Sequence, residues 1–242
     1  MRARIPGWRG LYAILDLPHA GGLEPVEAMR GLVGVTEIGA TIPTGPSIVQ
    51  LRAKRAGAAE RQALVRALLP IVRAAGALLI VDDDVEAALA ADGVHLGQED
   101  MAQRAGDRPW PETLARLRAS APPGFLIGLS THSRAQVEQA NELDVDYIGF
   151  GPILPTPSKA AHEPVVGFEG LRAACAISRH PVVAIGGLTA DGGLQCARAG
   201  AAAAAMIGAL VGASTAEVRE RASRLATALR DAVDAQAQPT GR

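Results

Sequence analysis

The chain has 242 residues, of which 48% are hydrophobic and only 3% aromatic, and its 24 Lys and Arg against 25 Asp and Glu give a formal net charge of -1. That balance excludes a general electrostatic pull toward nucleic acid or anionic membrane, so no such partner is expected and any anion must be held by local geometry. No apolar run reaches the roughly 18 residues that a bilayer crossing needs, MRARIPGWRG lacks an apolar stretch of the secretory kind, and Cys175 and Cys196 share no metal or redox spacing, so the expectation is a cytoplasmic protein with reduced thiols.

In chain order, the first apolar run covers residues 11–15, and a loop follows at 17–23. A second Gly/Pro-rich loop at 40–47 leads into the run 48–51. Leu64, Leu68, Ile71 and Ala75 then form a helical stripe that Gly76 ends. The run 77–81 comes next, then a short helix over 84–91, the brief run 94–96 and a loop at 101–111. After a further loop at 121–124 comes the run 125–129. Ser133 with Gln136 reads as a capping box that opens a helix through Leu143. Runs at 147–150, 182–185 and 203–207 follow, although the alanines of the last favour a helix on propensity alone. Ser214 with Glu217 opens the final helix in the same way, and Val218, Ala222, Leu225, Leu229 and Ala232 make its apolar stripe. Fraying is expected after Val233, with disorder over 236–242.

Short apolar runs alternating with helices imply a parallel sheet of βαβ units. Eight such units imply closure into one (β/α)₈ TIM barrel over residues 1–242, with a core at about 11–235. The polar residues cluster at the expected strand C-termini, the face where such a barrel carries its site. Strand alternation puts Gln50, Arg52 and Lys54 on one face, a cationic cradle suited to an anion with several oxygens. Asp82, Asp83 and Asp84 are three adjacent carboxylates that need a positive partner. With Asp100 from the next loop they match a magnesium site completed by a diphosphate, while acids at a helix N-cap would account for Asp83 or Asp84 alone. Gly186–Gly187 and Gly208 allow backbone N–H groups to approach a phosphate after strands seven and eight. Thr156, Ser158 and Lys159 lie on the Pro-stiffened loop GPILPTPSK. His95 reads as a hydrogen-bonded core histidine or a chemical group, and His132 as an acid or base after strand five.

At these residues the chain resembles the thiamin phosphate synthase family. The resemblance rests on LYAILD at 11–16, VQLRAK at 49–54, ADGVHLGQED at 91–100, GLSTHS at 128–133, DYIGFGPILPTPSK at 146–159 and PVVAIGGLT at 181–189. It implies a Mg²⁺-assisted transferase that joins hydroxymethylpyrimidine diphosphate to thiazole phosphate, releasing pyrophosphate. It also implies that Gln50, Leu51, Arg52, Ala53, Lys54, Asp82, Ser130 and Lys159 contact the pyrimidine diphosphate. Arg52, Lys54, Ser130 and Lys159 would carry the chemistry, and Asp83 and Asp100 would hold magnesium. Thr156, Pro157, Ser158, Gly187, Ile207 and Gly208 would surround the thiazole phosphate. The family's third strand usually ends Asn-Asp-Arg, so the acidic triplet leaves the metal role open between Asp83 and Asp84, and Gly208 stands where serine is usual. Small-molecule phosphate and diphosphate substrates are therefore the expected partners, and the sequence is compatible with a homo-oligomer. The alternatives are a thiazole tautomerase working through a group such as His132, and a noncatalytic phosphate-ligand-binding paralogue.

Overall fold

A computed structural model describes residues 9–17, 19–36, 45–156 and 163–237. Eight parallel strands close into a barrel in chain order: β1 (Gly10–Asp16), β2 (Ile48–Arg52), β3 (Leu78–Asp82), β4 (Gly93–Leu96), β5 (Leu126–Thr131), β6 (Tyr147–Phe150), β7 (Val182–Ile185) and β8 (Ala203–Met206). The helices between and after them are α1 (Pro25–Val33), α2 (Ala58–Ala74), α3 (Val85–Ala88), α4 (Gln98–Ala105), α5 (Trp110–Ser120), α6 (Arg134–Ala140), α7 (Gly167–Ile177), α8 (Ala190–Arg198) and α9 (Thr215–Ala237).

The alternation of side chains across each strand separates two cores. Leu11, Ala13, Leu15, Val49, Leu51, Leu79 and Val81 point outward and pack with the helices. Tyr12, Ile14, Ile48, Ile80, Leu126, Tyr147 and Val183 point inward and fill the barrel with Ala203 and Ala205. Both faces are buried, which is why the strands read as continuous apolar runs.

Burial overrides propensity in β8. Ala205 pairs with Tyr12 across the β1–β8 seam, so its small side chain leaves room for a tyrosine inside the barrel. Close approach also decides Gly10, which has φ +90; a Cβ there would stand 2.7 Å from the Arg230 backbone N of α9. Asp146 closes the opposite, N-terminal end, accepting from Ile127 N at 2.7 Å and from Arg118 Nη2 at 2.5 Å. Asp92 does the same for β3, with Leu79 N and Arg73 Nη2 each at 2.9 Å.

Four local expectations are corrected. The loop expected at 101–111 is largely helix, because Met101 and Ala105 bury one face of the two-turn α4. So short a helix has little room to show a period, and its N-cap, Gly97, supplies no capping side chain. The helix after Ser133 ends at Ala140 rather than Leu143, where Glu142 N and Leu143 N bond three residues back in a tightened turn. The last helix does not fray after Val233. That residue is buried, and α9 continues to Ala237, so 236 and 237 are helical and 238–242 lie outside the described residues. In both capping boxes the serine accepts as expected, but the return bond lands one residue earlier. Gln136 Oε1 accepts from His132 N at 2.6 Å and Glu217 Oε2 from Ala213 N at 2.8 Å. Among the described residues no helix is long and apolar enough to cross a membrane. The two cysteines are free, and burial pushes their thiols up to about 11 (Cys175) and about 12 (Cys196).

Candidate active site

Inward positions near the C-terminal ends of β1 to β5 are polar (Asp16, Arg52, Asp82, His95 and Ser130). At the end of β2, Gln50 and Arg52 point into the barrel, and Lys54 follows just beyond the strand. The end of β3 brings Asp82 beside all three. Gln50 Nε2 donates to Asp82 Oδ1 at 2.6 Å, and Asp82 Oδ2 lies 3.6 Å from Arg52 Nε and 3.5 Å from Lys54 Nζ. That second oxygen is buried with no hydrogen bond among the described residues, so charge alone compensates it.

Asp83 turns out of the strand with φ +58, a left-handed conformation that aspartate tolerates better than most residues. The turn points its carboxylate at three groups at once. Oδ1 accepts from Gly97 N at 3.1 Å, Oδ2 is bonded to Lys54 Nζ, and Asp100 on the first turn of α4 stands close enough for the Asp83 charge to raise its carboxyl. A Cβ at Gly97 would come within 2.5 Å of Asp100 Oδ2, so the Asp100 carboxylate would have to turn aside. Asp84 leaves the site. It caps α3 by accepting from Ala87 N at 3.0 Å and pairs with Arg61 Nε at 2.5 Å. Of the two acids between which the sequence leaves the metal role open, Asp83 is the one that faces Asp100.

A chain of hydrogen bonds runs across the barrel floor. Because Gln50 donates to Asp82, its carbonyl accepts from Tyr12 OH at 2.9 Å. Tyr12 OH lies 2.9 Å from Tyr147 OH, which lies 3.2 Å from His95 Nδ1. His95 Nε2 lies 3.0 Å from Ser130 Oγ. With the Tyr12 proton engaged by Gln50, Tyr147 donates to Tyr12 and His95 Nδ1–H donates to Tyr147. A neutral His95 then accepts the Ser130 hydroxyl proton, and Ser130 turns lone pairs toward a ligand. His95 fits against β5 and β6 because Gly128 and Gly149 carry no side chain there. Gln98 Nε2 donates to the Ser130 carbonyl at 2.5 Å and joins α4 to β5.

The remaining sequence-predicted residues divide. Leu51 and Ala53 point outward into the helix-packed core, 1% and 5% exposed, so they can offer a ligand only main chain. Thr156 lies half-buried on the loop after β6, and Pro157, Ser158 and Lys159 lie outside the described residues. Gly186 and Gly187, at φ +105 and +65, allow that loop to press on β7, since a Cβ on Gly187 would meet Pro155 O at 2.4 Å. Ile207 packs on the barrel interior, and a Cβ at Gly208 would meet nothing within 4 Å. His132 is drawn away from this group. Its Nδ1 donates to Gly151 O at 2.6 Å, and the residue lines a cleft of about 260 Å³ with Phe150, Val166 and Ala174 between α6 and α7.

Sequence reasoning missed Asp16, which ends β1 and bonds Arg52, as well as the two tyrosines of the floor. Alternation through LYAILD carried the signal, because Tyr12, Ile14 and Asp16 share one face.

The electrostatics of the mouth are dominated by acid. Arg52 and Lys54 stand with Asp16, Asp82, Asp83 and Asp100, among the described residues two cations against four carboxylates. Burial, then repulsion from Asp83, raises Asp82 to about 7 against the pull of Lys54 and Arg52. Burial and Asp83 also raise Asp100, whereas bonds from Lys54 and Gly97 outweigh burial and lower Asp83.

Asp82 gives a testable stability profile. Its carboxyl is raised in the folded state, so the folded chain binds the extra proton between about 4 and 7. Its contribution to stability is therefore full below about 4, falls as pH rises through that window and is flat above it. In metal-free protein, Asp82→Asn should remove this loss, and the Tm difference between variant and wild type should widen from pH 5 to pH 7. Parallel Tm profiles in EDTA would rule out a raised Asp82.

The model of the thiamine monophosphate synthase family matches residues 33–210 of this chain. The chain belongs to that family. Among relatives, a thiamine-phosphate synthase of Moorella thermoacetica is 35% identical over 223 residues, covering 91% of this chain and 95% of its own length. One from Levilactobacillus brevis is 45% identical over 173 residues, covering 68% and 75%. The solved thiamine phosphate pyrophosphorylase of Pyrococcus furiosus aligns with a TM-score of 0.68 at 30% identity, over 89% of this chain and 96% of that one. Family membership and the closed barrel agree, and this member carries two of its three adjacent acids, Asp82 and Asp83, at the mouth.

Proposed function

We propose that the barrel mouth joins hydroxymethylpyrimidine diphosphate to thiazole phosphate, giving thiamin phosphate and pyrophosphate. The observation that carries this reading is the meeting of Arg52 and Lys54 from β2 with Asp82 and Asp83 from β3 and Asp100 from α4, in a chain of the synthase family. Gln50 and Ser130 lie on the floor and suit the polar edge of the pyrimidine. Arg52 is two residues nearer the rim, about 7 Å along a strand, and with Lys54 suits the diphosphate. Leu51 and Ala53 would contribute backbone only.

The acids fit a hard divalent cation. Asp83 and Asp100 share a proton-hungry contact, the mouth carries surplus negative charge, and an incoming diphosphate would add more. Among the described residues no cluster of three or more His, Cys, Asp or Glu forms a closed metal cage. Two carboxylates that leave the other positions to substrate oxygens and water are what magnesium sites commonly provide. A magnesium ion held by Asp83 and Asp100 would supply positive charge to the departing pyrophosphate.

In the reaction the bond from the pyrimidine methylene to the diphosphate oxygen breaks, and its electron pair leaves with pyrophosphate. Arg52, Lys54 and Lys159 stabilise that growing charge. The pyrimidine amino group supports the methylene cation, and the thiazole nitrogen lone pair closes the new bond. Positioning and charge stabilisation suffice, with no covalent enzyme intermediate. Thr156, Pro157, Ser158, Gly187, Ile207 and Gly208 hold the thiazole phosphate. The test is pyrophosphate release with both substrates, with and without magnesium. Release that requires both substrates and the metal is expected, and thiazole isomerisation alone, or binding without turnover, would refute the reading.

The open space at Gly208 supports a second expectation. Gly208→Ser should leave Tm unchanged, because nothing stands within 4 Å of the added Cβ. It should lower the KM for thiazole phosphate by about 10-fold, since a hydrogen bond to a charged group is worth roughly 1.5 kcal/mol or more. A raised KM would place the phosphate elsewhere.

A further inference from the structure

Asp16 is a carboxylate with no solvent-exposed side-chain surface, an expensive state unless partners compensate it. Oδ1 accepts from Arg52 Nη1 at 2.6 Å, and Oδ2 bonds His19 Nδ1 at 2.7 Å. Asp16 and Arg52 are also the last paired positions of β1 and β2, and Leu17 N donates to Arg52 O at 2.8 Å. Backbone and side chain thus fix the arginine to the same neighbour. On its other side Arg52 Nε lies 3.6 Å from Asp82, and its side chain is 18% exposed.

We infer that Asp16 is a positioning residue, which holds the Arg52 guanidinium by one edge and so fixes its plane and direction toward the diphosphate of the substrate. The inference rests on the proposed diphosphate site and adds a residue to it. A guanidinium carries five donors in a rigid plane, so fixing one edge fixes the direction of the rest. An ammonium has no such fork, and a carboxylate cannot orient it in this way. Misplacing a charge-stabilising group by about 1 Å can cost up to about 10²-fold.

The experiment is a double-mutant cycle of Asp16→Asn with Arg52→Lys, read by calorimetric titration of inorganic pyrophosphate in the presence of magnesium. Asparagine keeps the shape and an acceptor oxygen but loses the charge. Asp16→Asn should weaken pyrophosphate binding about 10-fold when Arg52 is intact and less than about 2-fold in the Arg52→Lys background. With both substrates it should lower kcat/KM for the pyrimidine diphosphate and leave the KM for thiazole phosphate unmoved, a split that a loosened barrel would not give. If Asp16→Asn fails to fold by circular dichroism, Asp16→Ser takes its place in the cycle. Equal losses in both backgrounds, or unchanged affinity, would overturn the positioning role alone. Wild-type protein that binds no pyrophosphate would overturn the diphosphate site and the role of Asp16 together.

Discussion

Replacing Asp100 by alanine is expected to slow pyrophosphate release by about 100-fold or more, the scale on which single groups that stabilise transition-state charge are felt. The reason is local. Asp100 reaches Asp83 from the first turn of α4, and without it Asp83 alone faces the surplus charge of a diphosphate. The fold should not suffer. Asp100 is half-exposed and outside both apolar cores, and burial and Asp83 already raise its carboxyl, which means its charge is held against a penalty. Tm should therefore stay level or rise while turnover collapses. Wild-type turnover in Asp100→Ala would remove the metal pair from the site.

The largest stability effect is expected at a residue with no side chain. A Cβ on Gly128 would stand 2.2 Å from Tyr147 Cζ and 2.5 Å from His95 Nδ1. Neither ring can yield, because they stack with centroids 5.5 Å apart and His95 is pinned between Tyr147 and Ser130. Gly128→Ala should destabilise the barrel by about 3 kcal/mol, the upper range for overpacking a tight core, as measured by urea denaturation. A loss below about 1 kcal/mol would mean that the His95–Tyr147 stack is loose.

These two sites show which parts of the molecule the sequence could express. Asp100 is legible, since an acid beyond the fourth run has one natural place in a barrel. Gly128 is not, because the reason for a glycine inside GLSTHS is a histidine 33 positions earlier and a tyrosine 19 positions later. The strands are legible where both faces are apolar, and even β8 can be read despite its alanines. The helix α4 is hidden by its two turns. Parity in β2 is readable for Gln50 and Arg52, and the same parity sends the side chains of Leu51 and Ala53 outward, which leaves only their main chain to meet a ligand. Asp83 cannot be separated from Asp84 by sequence. The choice depends on a left-handed turn at a non-glycine residue, which leaves no periodic trace. Asp16 escapes notice because its importance lies in a partner 36 residues away.

The β2 cations and the Asp83–Asp100 pair are assigned to one diphosphate, with a divalent cation joining acids to anion. Linkage requires that two ligands sharing a site alter each other's affinity by the same factor. The direct measurement is calorimetric binding of pyrophosphate to wild type and Asp100→Ala, each in magnesium and in EDTA. Strong enhancement by magnesium is predicted in wild type and little in the variant. Equal pyrophosphate affinity in EDTA and magnesium, or an enhancement that survives the loss of Asp100, would contradict that assignment.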